Sequence, residues 1–227
     1  MPPNPVKLSP SDLTFLWDEC PRCFYLKYIH GINRPAAPFP SIFGAIDRLM
    51  KAQFAGHPAS DLDPSLPAGI VMVTEKWIES LPIMLPGHSL ACFIRGKLDA
   101  ILDFSDGSYG VVDFKTSAPA ASHIPFYSRQ LHAYAYALEH PAPNRLSRSP
   151  ISLLGIYVET PHATLTATTS EISFHFRSTW MEIPFMESGF LGFLDRVLTL
   201  LELPEPPAPG VDCDYCQYRQ HAREHGM

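Results

Sequence analysis

Asp99, Asp113 and Lys115 are the residues whose types and spacing first suggest chemistry in this chain of 227 residues. They lie in residues 94–117, IRGKLDAILDFSDGSYGVVDFKTS, where two runs rich in Ile, Leu, Val and Phe flank a Ser-Asp-Gly-Ser tract. That composition predicts two strands joined by a tight turn. Residues two apart on a strand share a face, so Asp113 and Lys115 point the same way. With the turn centred near Asp106 and Gly107, Asp99 falls opposite Asp113 across the ladder. Two carboxylates and a lysine then meet in a segment otherwise apolar enough to be sheet interior. Charges are costly there unless they are paired or bind a cation. A lone Asp-x-Lys reads as a structural ion pair; a second aspartate at matching depth predicts a site for a hard divalent metal.

The cysteines form a second constellation. Cys92 stands alone in an apolar run and reads as an inert buried thiol. The other four make two Cys-x-x-Cys pairs, Cys20/Cys23 and Cys213/Cys216, at opposite ends of the chain. In a cytosolic setting such pairs predict metal or cluster ligation rather than disulfides. A two-plus-two set suits tetrahedral Zn²⁺, and four thiolates alone do not choose between zinc and an iron–sulfur cluster. The strand, motif and helix context of a thioredoxin-like redox site is absent.

The elements that must position these residues can be taken in order. Residues 1–8 are proline-rich and predicted to be loose. Ser9, with Pro10 at the first helical position and Asp12 three residues on from Ser9, predicts a helix start. Pro21, between Cys20 and Cys23, breaks that helix and begins another, which Gly31 stops. Residues 33–40 are a linker. Ser41 opens a helix, SIFGAIDRLMKAQF, with Ile42, Ile46, Leu49 and Met50 as its apolar stripe and Asp47 one position away from it. A polar loop over 56–68 precedes a helix over 71–81, and then come the two strands. A loop containing Pro119 and Pro125 leads into a helix over about 126–139. Gln130 and Tyr134, four apart, share a face of it, with Tyr127 nearby. Residues 151–160 are a buried strand and 165–176 one or two further β segments. Pro184 opens a helix reaching Leu203, and a proline-rich spacer over 204–210 leads to the second cysteine pair. This order predicts one α/β domain with a mixed sheet, not a regular βαβ array, and no glycine-rich phosphate loop is present.

The net charge of −6 argues against a generic basic nucleic-acid binder. It leaves room for a local basic groove from Arg22, Lys27, Arg34, Arg48, Lys51, Arg219 and Arg223, although such residues read first as a solvated surface. No apolar run approaches the roughly 18 residues of a membrane span. The start, MPPNPVKLSPSD, lacks the charged and apolar tracts of a secretory signal, so a cytoplasmic protein is expected.

These motifs resemble the PD-(D/E)XK nuclease superfamily, in its RecB-like branch with the Cas4-like nucleases and the AddB and Dna2 nuclease domains. Phe43-Gly44-Ala45-Ile46-Asp47 resembles the first motif, Gly-x-x-x-His or a relative. Asp47 stands where many relatives carry a metal-binding histidine. Gly96-Lys97-Leu98-Asp99 resembles the second motif, Asp113-Phe114-Lys115 the Asp/Glu-x-Lys signature, and Gln130-Leu131-His132-Ala133-Tyr134 the Gln-x-x-x-Tyr motif. Each motif is weak alone, and four in the right order are strong. The resemblance implies a restriction-endonuclease-like mixed sheet flanked by helices. The catalytic core would span about 41–203, and a cysteine clip would join 9–32 to 210–227.

The resemblance also implies a [4Fe-4S] cluster at the cysteines, where relatives use one early and three late ligands. Here Cys20, Cys213 and Cys216 fit, no third late cysteine exists, and Cys23 is the candidate fourth ligand, with His221 and His225 weaker ones. Mg²⁺ or Mn²⁺ would be held by Asp99, Asp113, Asp47 and the backbone carbonyl of Phe114. Lys115 would position water or stabilise charge on the phosphate, and Gln130 and Tyr134 would orient the lysine, the water or the DNA backbone. Glu75 is a loose extra candidate that reads first as a surface residue. The implied activity is cleavage of phosphodiester bonds in single-stranded DNA or at DNA ends, with a helicase or a CRISPR-adaptation integrase as a partner and no membrane. The rival reading is a nuclease-like scaffold, weak or inactive in catalysis, that binds nucleic acid or such a partner.

Overall fold

The computed structural model describes residues 4–36, 40–116, 124–168, 170 and 172–226. The start of the chain at 1–3, part of the linker at 37–39 and the loop around Pro119, including Ser117, lie outside the described residues. The chain begins with strand β1 (Val6–Leu8), a π-helical turn (Asp12–Leu16) and the short helix α1 (Trp17–Glu19). Helices α2 (Pro21–His30) and α3 (Ser41–Phe54) follow. Five strands come next: β2 (Gly69–Val73), β3 (Trp77–Glu79), β4 (Cys92–Lys97), β5 (Ala100–Phe104) and β6 (Tyr109–Lys115). Helix α4 (Ile124–Glu139), the hairpin β7 (Ile151–Ala167) and β8 (Ile172–Ile183), then α5 (Glu187–Leu201) and α6 (Asp214–Glu224) complete the chain.

The strands form two mixed sheets. Five lie in the order β2-β5-β6-β7-β8, parallel between β6 and β7 and antiparallel elsewhere. Three lie in the order β1-β4-β3, with β1 parallel to β4. The larger sheet is covered on both faces, which is why β5 and β6 read as nearly continuous apolar runs. Ile101, Val111 and Ile156 pack with Leu131, Ala135 and Leu138 of α4 and Leu194 and Leu198 of α5. Leu102, Val112, Phe114 and Tyr157 on the other face pack with Met50 and Phe54 of α3.

Local signals set the boundaries of several elements. Cys20 is the extended N-cap of α2 with Pro21 in the first turn, and Gly31, at φ +66°, is its left-handed C-cap. Helix α3 starts at Ser41 as expected, but its buried residues are Met50, Lys51 and Phe54, while Ile42 and Leu49 are exposed. The helix meets the sheet through its C-terminal half, so the expected stripe is only partly used.

Five other expectations differ from the structure, three of them through strand pairing. Val6–Leu8 is not loose: it pairs with β4 and buries Leu8 completely. Residues 71–81 do not form a helix. They hold most of β2 and all of β3, because pairing with β5 and β4 suits the β-branched Val71, Val73 and Ile78. The first apolar run of the central stretch is two strands, β4 and β5, which belong to different sheets. Regular helix after Ser9 is delayed by the π-helical turn, and α5 starts at Glu187 rather than Pro184. There the Met186 N–H donates to His132 Nε2 at 2.8 Å instead of entering a helical turn. Among the described residues, no helix is long and apolar enough to cross a membrane.

Candidate active site

The β5–β6 ladder pairs Ala100 with Val112 and Asp103 with Tyr109, so extending it by one residue sets Asp99 opposite Asp113. Asp99 itself lies in the bend between β4 and β5, and its Oδ2 accepts a hydrogen bond from the Phe114 N–H at 3.2 Å. Asp113 is 4% exposed. Its Oδ1 accepts from Gln130 Nε2 at 3.1 Å, and its Oδ2 lies in ion contact with Lys115 Nζ without a well-aligned hydrogen bond. The Lys115 ammonium also sits 5.4 Å from the centre of the Tyr127 ring.

Gln130 donates to the Tyr134 hydroxyl at 3.1 Å, and that hydroxyl donates to the Lys97 carbonyl at 3.0 Å. The α4 face predicted from the four-residue spacing is therefore turned onto the end of β6. This docking needs Gly96, because a Cβ there would lie 2.8 Å from Pro10 and 3.1 Å from the Tyr134 ring. Burial pushes the Asp113 carboxyl up to about 6, with Asp99 adding to the rise and Lys115 opposing it. Burial disfavours the Lys115 ammonium, but the charges of Asp113 and Asp99 outweigh it and raise its pKa.

Two residues join the site that the motifs did not single out. Lys51, grouped by sequence with the surface basics, is buried. Its Nζ reaches Asp47 Oδ2 at 2.8 Å, Asp99 Oδ1 at 2.8 Å and Glu75 Oε1 at 3.2 Å. Burial works against its charge, but hydrogen bonds to Asp47 and Asp99 raise its pKa. Glu75 is exposed yet not idle: its other oxygen meets Lys97 Nζ at 3.3 Å, and hydrogen bonds from Lys51 and Lys97 lower its pKa. The Asp47–Lys51 spacing of four was visible in the sequence as a helical ion pair. Counted strictly from Gly44, a Gly-x-x-x-His motif ends on Arg48, which is exposed; Asp47 is the α3 residue turned toward Asp99. Asp47, Asp99 and Asp113 do not close into a tight triad, because Lys51 lies between the first two.

The cysteines converge more tightly. Among the described residues, Cys20, Cys23, Cys213 and Cys216 are the group of possible ligands whose atoms all lie within 4.8 Å of one another. Their sulfurs stand 3.7 Å apart for Cys20 and Cys216, 3.7 Å for Cys23 and Cys213, and 3.6 Å for Cys23 and Cys216. All are free thiols. The cluster is framed by hydrogen bonds from the Gly210 N–H to Cys20 Sγ at 3.3 Å and from Arg34 to Cys213 Sγ at 3.5 Å. Burial raises the Cys20 thiol, but N–H groups from Gly210 and Cys23 prevail and lower it to about 7, a thiolate-favouring setting. Cys92 is remote from this group, and burial alone pushes its thiol up to about 12, as an inert core cysteine requires. His221 and His225 are not in the cluster.

A model of the PD-(D/E)XK nuclease superfamily matches residues 70–221. The chain belongs to the PD-(D/E)XK nuclease superfamily. The match includes Asp99, Asp113, Lys115, Gln130, Tyr134 and the second cysteine pair, while Asp47, Lys51 and the first pair precede it. One solved structure, described as the crystal structure of SSO0001, is similar at 17% identity and a TM-score of 0.48, covering 95% of this chain and 84% of that one. No curated protein matches the chain. PD-(D/E)XK proteins are usually nucleases that use divalent metals, so the superfamily supports a nucleic-acid hydrolase.

Gly210 links this superfamily fold to its cysteine cluster. A Cβ at Gly210 would lie 2.2 Å from the Glu19 carbonyl oxygen, so the tail passes Cys20 only because this residue lacks a side chain. Gly210→Ala is expected to push the tail away, lose the Cys20 hydrogen bond and lower the metal content of the purified protein. Elemental analysis of wild type and variant checks this.

Proposed function

We propose that this chain is a divalent-metal-dependent deoxyribonuclease of the RecB-like and Cas4-like kind, acting on single-stranded DNA or DNA ends. The observation that carries the reading is the meeting of Asp99, Asp113, Lys115 and Gln130 at one end of β6. The donor set suits a hard cation: it is built of carboxylates, and an ammonium already sits among three of them. Asp99 and Asp113, with the Phe114 carbonyl, are the residues that would hold Mg²⁺ or Mn²⁺; Asp47, expected as a further ligand, is engaged by the Lys51 ammonium instead. When bound, that ion supplies charge neutralisation at the scissile phosphate and a lowered pKa for an attacking water.

The chain's own groups supply the rest. The Phe114 N–H orients Asp99, and Gln130, held by Tyr134, orients Asp113. Lys115 places a positive charge where charge builds on the phosphate and can hold a water by hydrogen bonding. Gln130→Ala is expected to weaken Mn²⁺ binding by roughly 10–100-fold, the usual effect of losing a group that orients a ligand. Calorimetric titration checks it, and Tyr134→Phe should show a smaller loss in the same assay.

At the cysteines the reading favours one Zn²⁺ over a [4Fe-4S] cluster. A tetrahedral ion with Zn–S bonds of about 2.3 Å sets its sulfurs about 3.8 Å apart. Three of the six sulfur pairs stand at 3.6–3.7 Å, and all six lie within 4.8 Å, closer to this spacing than to that of a cubane. A cubane instead binds each cysteine to a different iron at a separate corner, which spreads the sulfurs further. The expected result is one zinc per chain and no iron–sulfur absorption in protein purified without air; stoichiometric iron with that absorption would restore the cluster. A single catalytic unit over about 41–203, closed by this clip, belongs to the same proposal. A helicase or CRISPR-adaptation partner rests on the resemblance alone, and a cytoplasmic location on the composition of the sequence.

The testing experiment offers labelled single-stranded and duplex DNA, linear and circular, to the zinc-loaded protein with Mg²⁺ or Mn²⁺. Metal-dependent loss of linear substrate with circles spared supports the reading. Cutting of circles makes the enzyme an endonuclease. No cleavage with zinc in place moves the assignment to the non-catalytic scaffold.

A further inference from the structure

We infer that Lys51 is an internal cation that limits the carboxylate centre to a single divalent ion. This rests on the metal-centre reading above and deepens it. A two-ion centre needs a carboxylate shared between ions about 3.5–4 Å apart, with further ligands on each side. Asp99 is the residue placed to be shared, since it lies between the Asp113 side of the site and the Asp47 side. On the Asp47 side the position is taken. Lys51 Nζ contacts Asp99 Oδ1, Asp47 Oδ2 and Glu75 Oε1, so one ammonium engages every carboxylate that a second ion would use there.

Three features make this more than an incidental ion pair. Lys51 is 8% exposed, so its charge is not free to swing into solvent. It is anchored on α3 beside the buried Met50 and one turn before the buried Phe54, which keeps its stem against the sheet. The local charge also fits one dication. Asp47, Glu75, Asp99 and Asp113 face the ammonium groups of Lys51, Lys97 and Lys115, leaving one net negative charge. One divalent ion turns that into one net positive charge, ready for a phosphate. A second would leave an excess of three positive charges in a partly buried space, opposed by strong repulsion. Without Lys51 the same carboxylates carry two net negative charges and a vacated position lined by three acidic side chains. Lys51 thus acts as a positioning residue: it holds Asp47 and Asp99 in register and fills the second-ion position with a charge that cannot dissociate.

The experiment titrates Mn²⁺ into the zinc-loaded full chain, reading stoichiometry by calorimetry and ion–ion coupling by electron paramagnetic resonance. Wild type is expected to bind one Mn²⁺ with the spectrum of an isolated ion. Lys51→Met is expected to bind two, with the spectrum of an exchange-coupled pair, whereas Lys51→Arg should remain at one. A coupled pair in wild type overturns the inference without any variant, which covers the case in which Lys51→Met does not fold. A Lys51→Met protein that folds and still binds one isolated ion also overturns it, while leaving the metal-centre reading intact. Binding of no Mn²⁺ by either protein removes the metal centre itself, and the inference with it.

Discussion

Asp113→Asn is expected to abolish metal-dependent cleavage while leaving the fold in place. Asparagine has nearly the same volume, and its side-chain oxygen can still accept the hydrogen bond that Gln130 now gives to Asp113. What disappears is the negative charge, which burial already disfavours, as the rise of this carboxyl to about 6 indicates. Lys115 loses its ion partner, but its side chain keeps about a quarter of its surface open to water and can solvate its charge there. The stability cost is therefore small beside that of an ammonium left fully buried, roughly 3–5 kcal/mol. Catalysis has no such relief. Loss of a group that merely orients a metal ligand costs about 10–100-fold, so loss of the ligand itself is expected to lower the cleavage rate by at least about a hundredfold. Initial rates for wild type and variant at equal Mg²⁺, with circular dichroism to verify folding, make the comparison. Unchanged cleavage would place the chemistry elsewhere in the chain.

Cys213→Ser is expected to have the largest effect on stability. The cluster joins the N-cap of α2 to the start of α6, residues some 190 positions apart. Its sulfurs are packed among one another rather than in the main core, so without a metal the ends hold together by little apolar burial. Structural zinc sites in small peptides contribute about 10–16 kcal/mol of apparent binding energy. In a chain of this size each kcal/mol moves the melting temperature by about 2–4 °C, so even a third of that energy predicts a fall of roughly 10 °C. Thermal unfolding with and without a zinc-selective chelator, in excess Mg²⁺, measures it. The chelator should reproduce the variant's effect in wild type and do little further in Cys213→Ser. Cys92→Ser is the control: it removes a buried thiol but no metal ligand, and metal content should not change.

The contrast between these two centres shows where sequence reasoning had purchase. The β5–β6 register followed from one short turn and the alternation of side chains, and it set Asp99 opposite Asp113 because both signals act over a few residues. The extent of α3 and the face of α4 bearing Gln130 and Tyr134 followed from helical periodicity in the same way. Residues 71–81 went astray because VMVTEKWIESL has no turn signal strong enough to mark two strands. Only pairing with β5 and β4 made β2 and β3 of it.

By itself, then, the sequence determined the mixed α/β class, the superfamily motifs, the two cysteine pairs and the carboxylate–lysine end of β6. Tertiary structure alone decided which charges share that end. Lys51 is four residues from Asp47, but its other partners, Glu75 and Asp99, are 24 and 48 residues away. A buried ammonium among three carboxylates is specified by how α3 docks on the sheet through Met50 and Phe54. The close passage of the tail against Glu19 and Cys20, which Gly210 permits, likewise belongs to the tertiary structure. Local spacing fixes which face a residue takes on its own element. Which faces meet depends on packing between elements distant in sequence, and ion coordination is a property of that meeting.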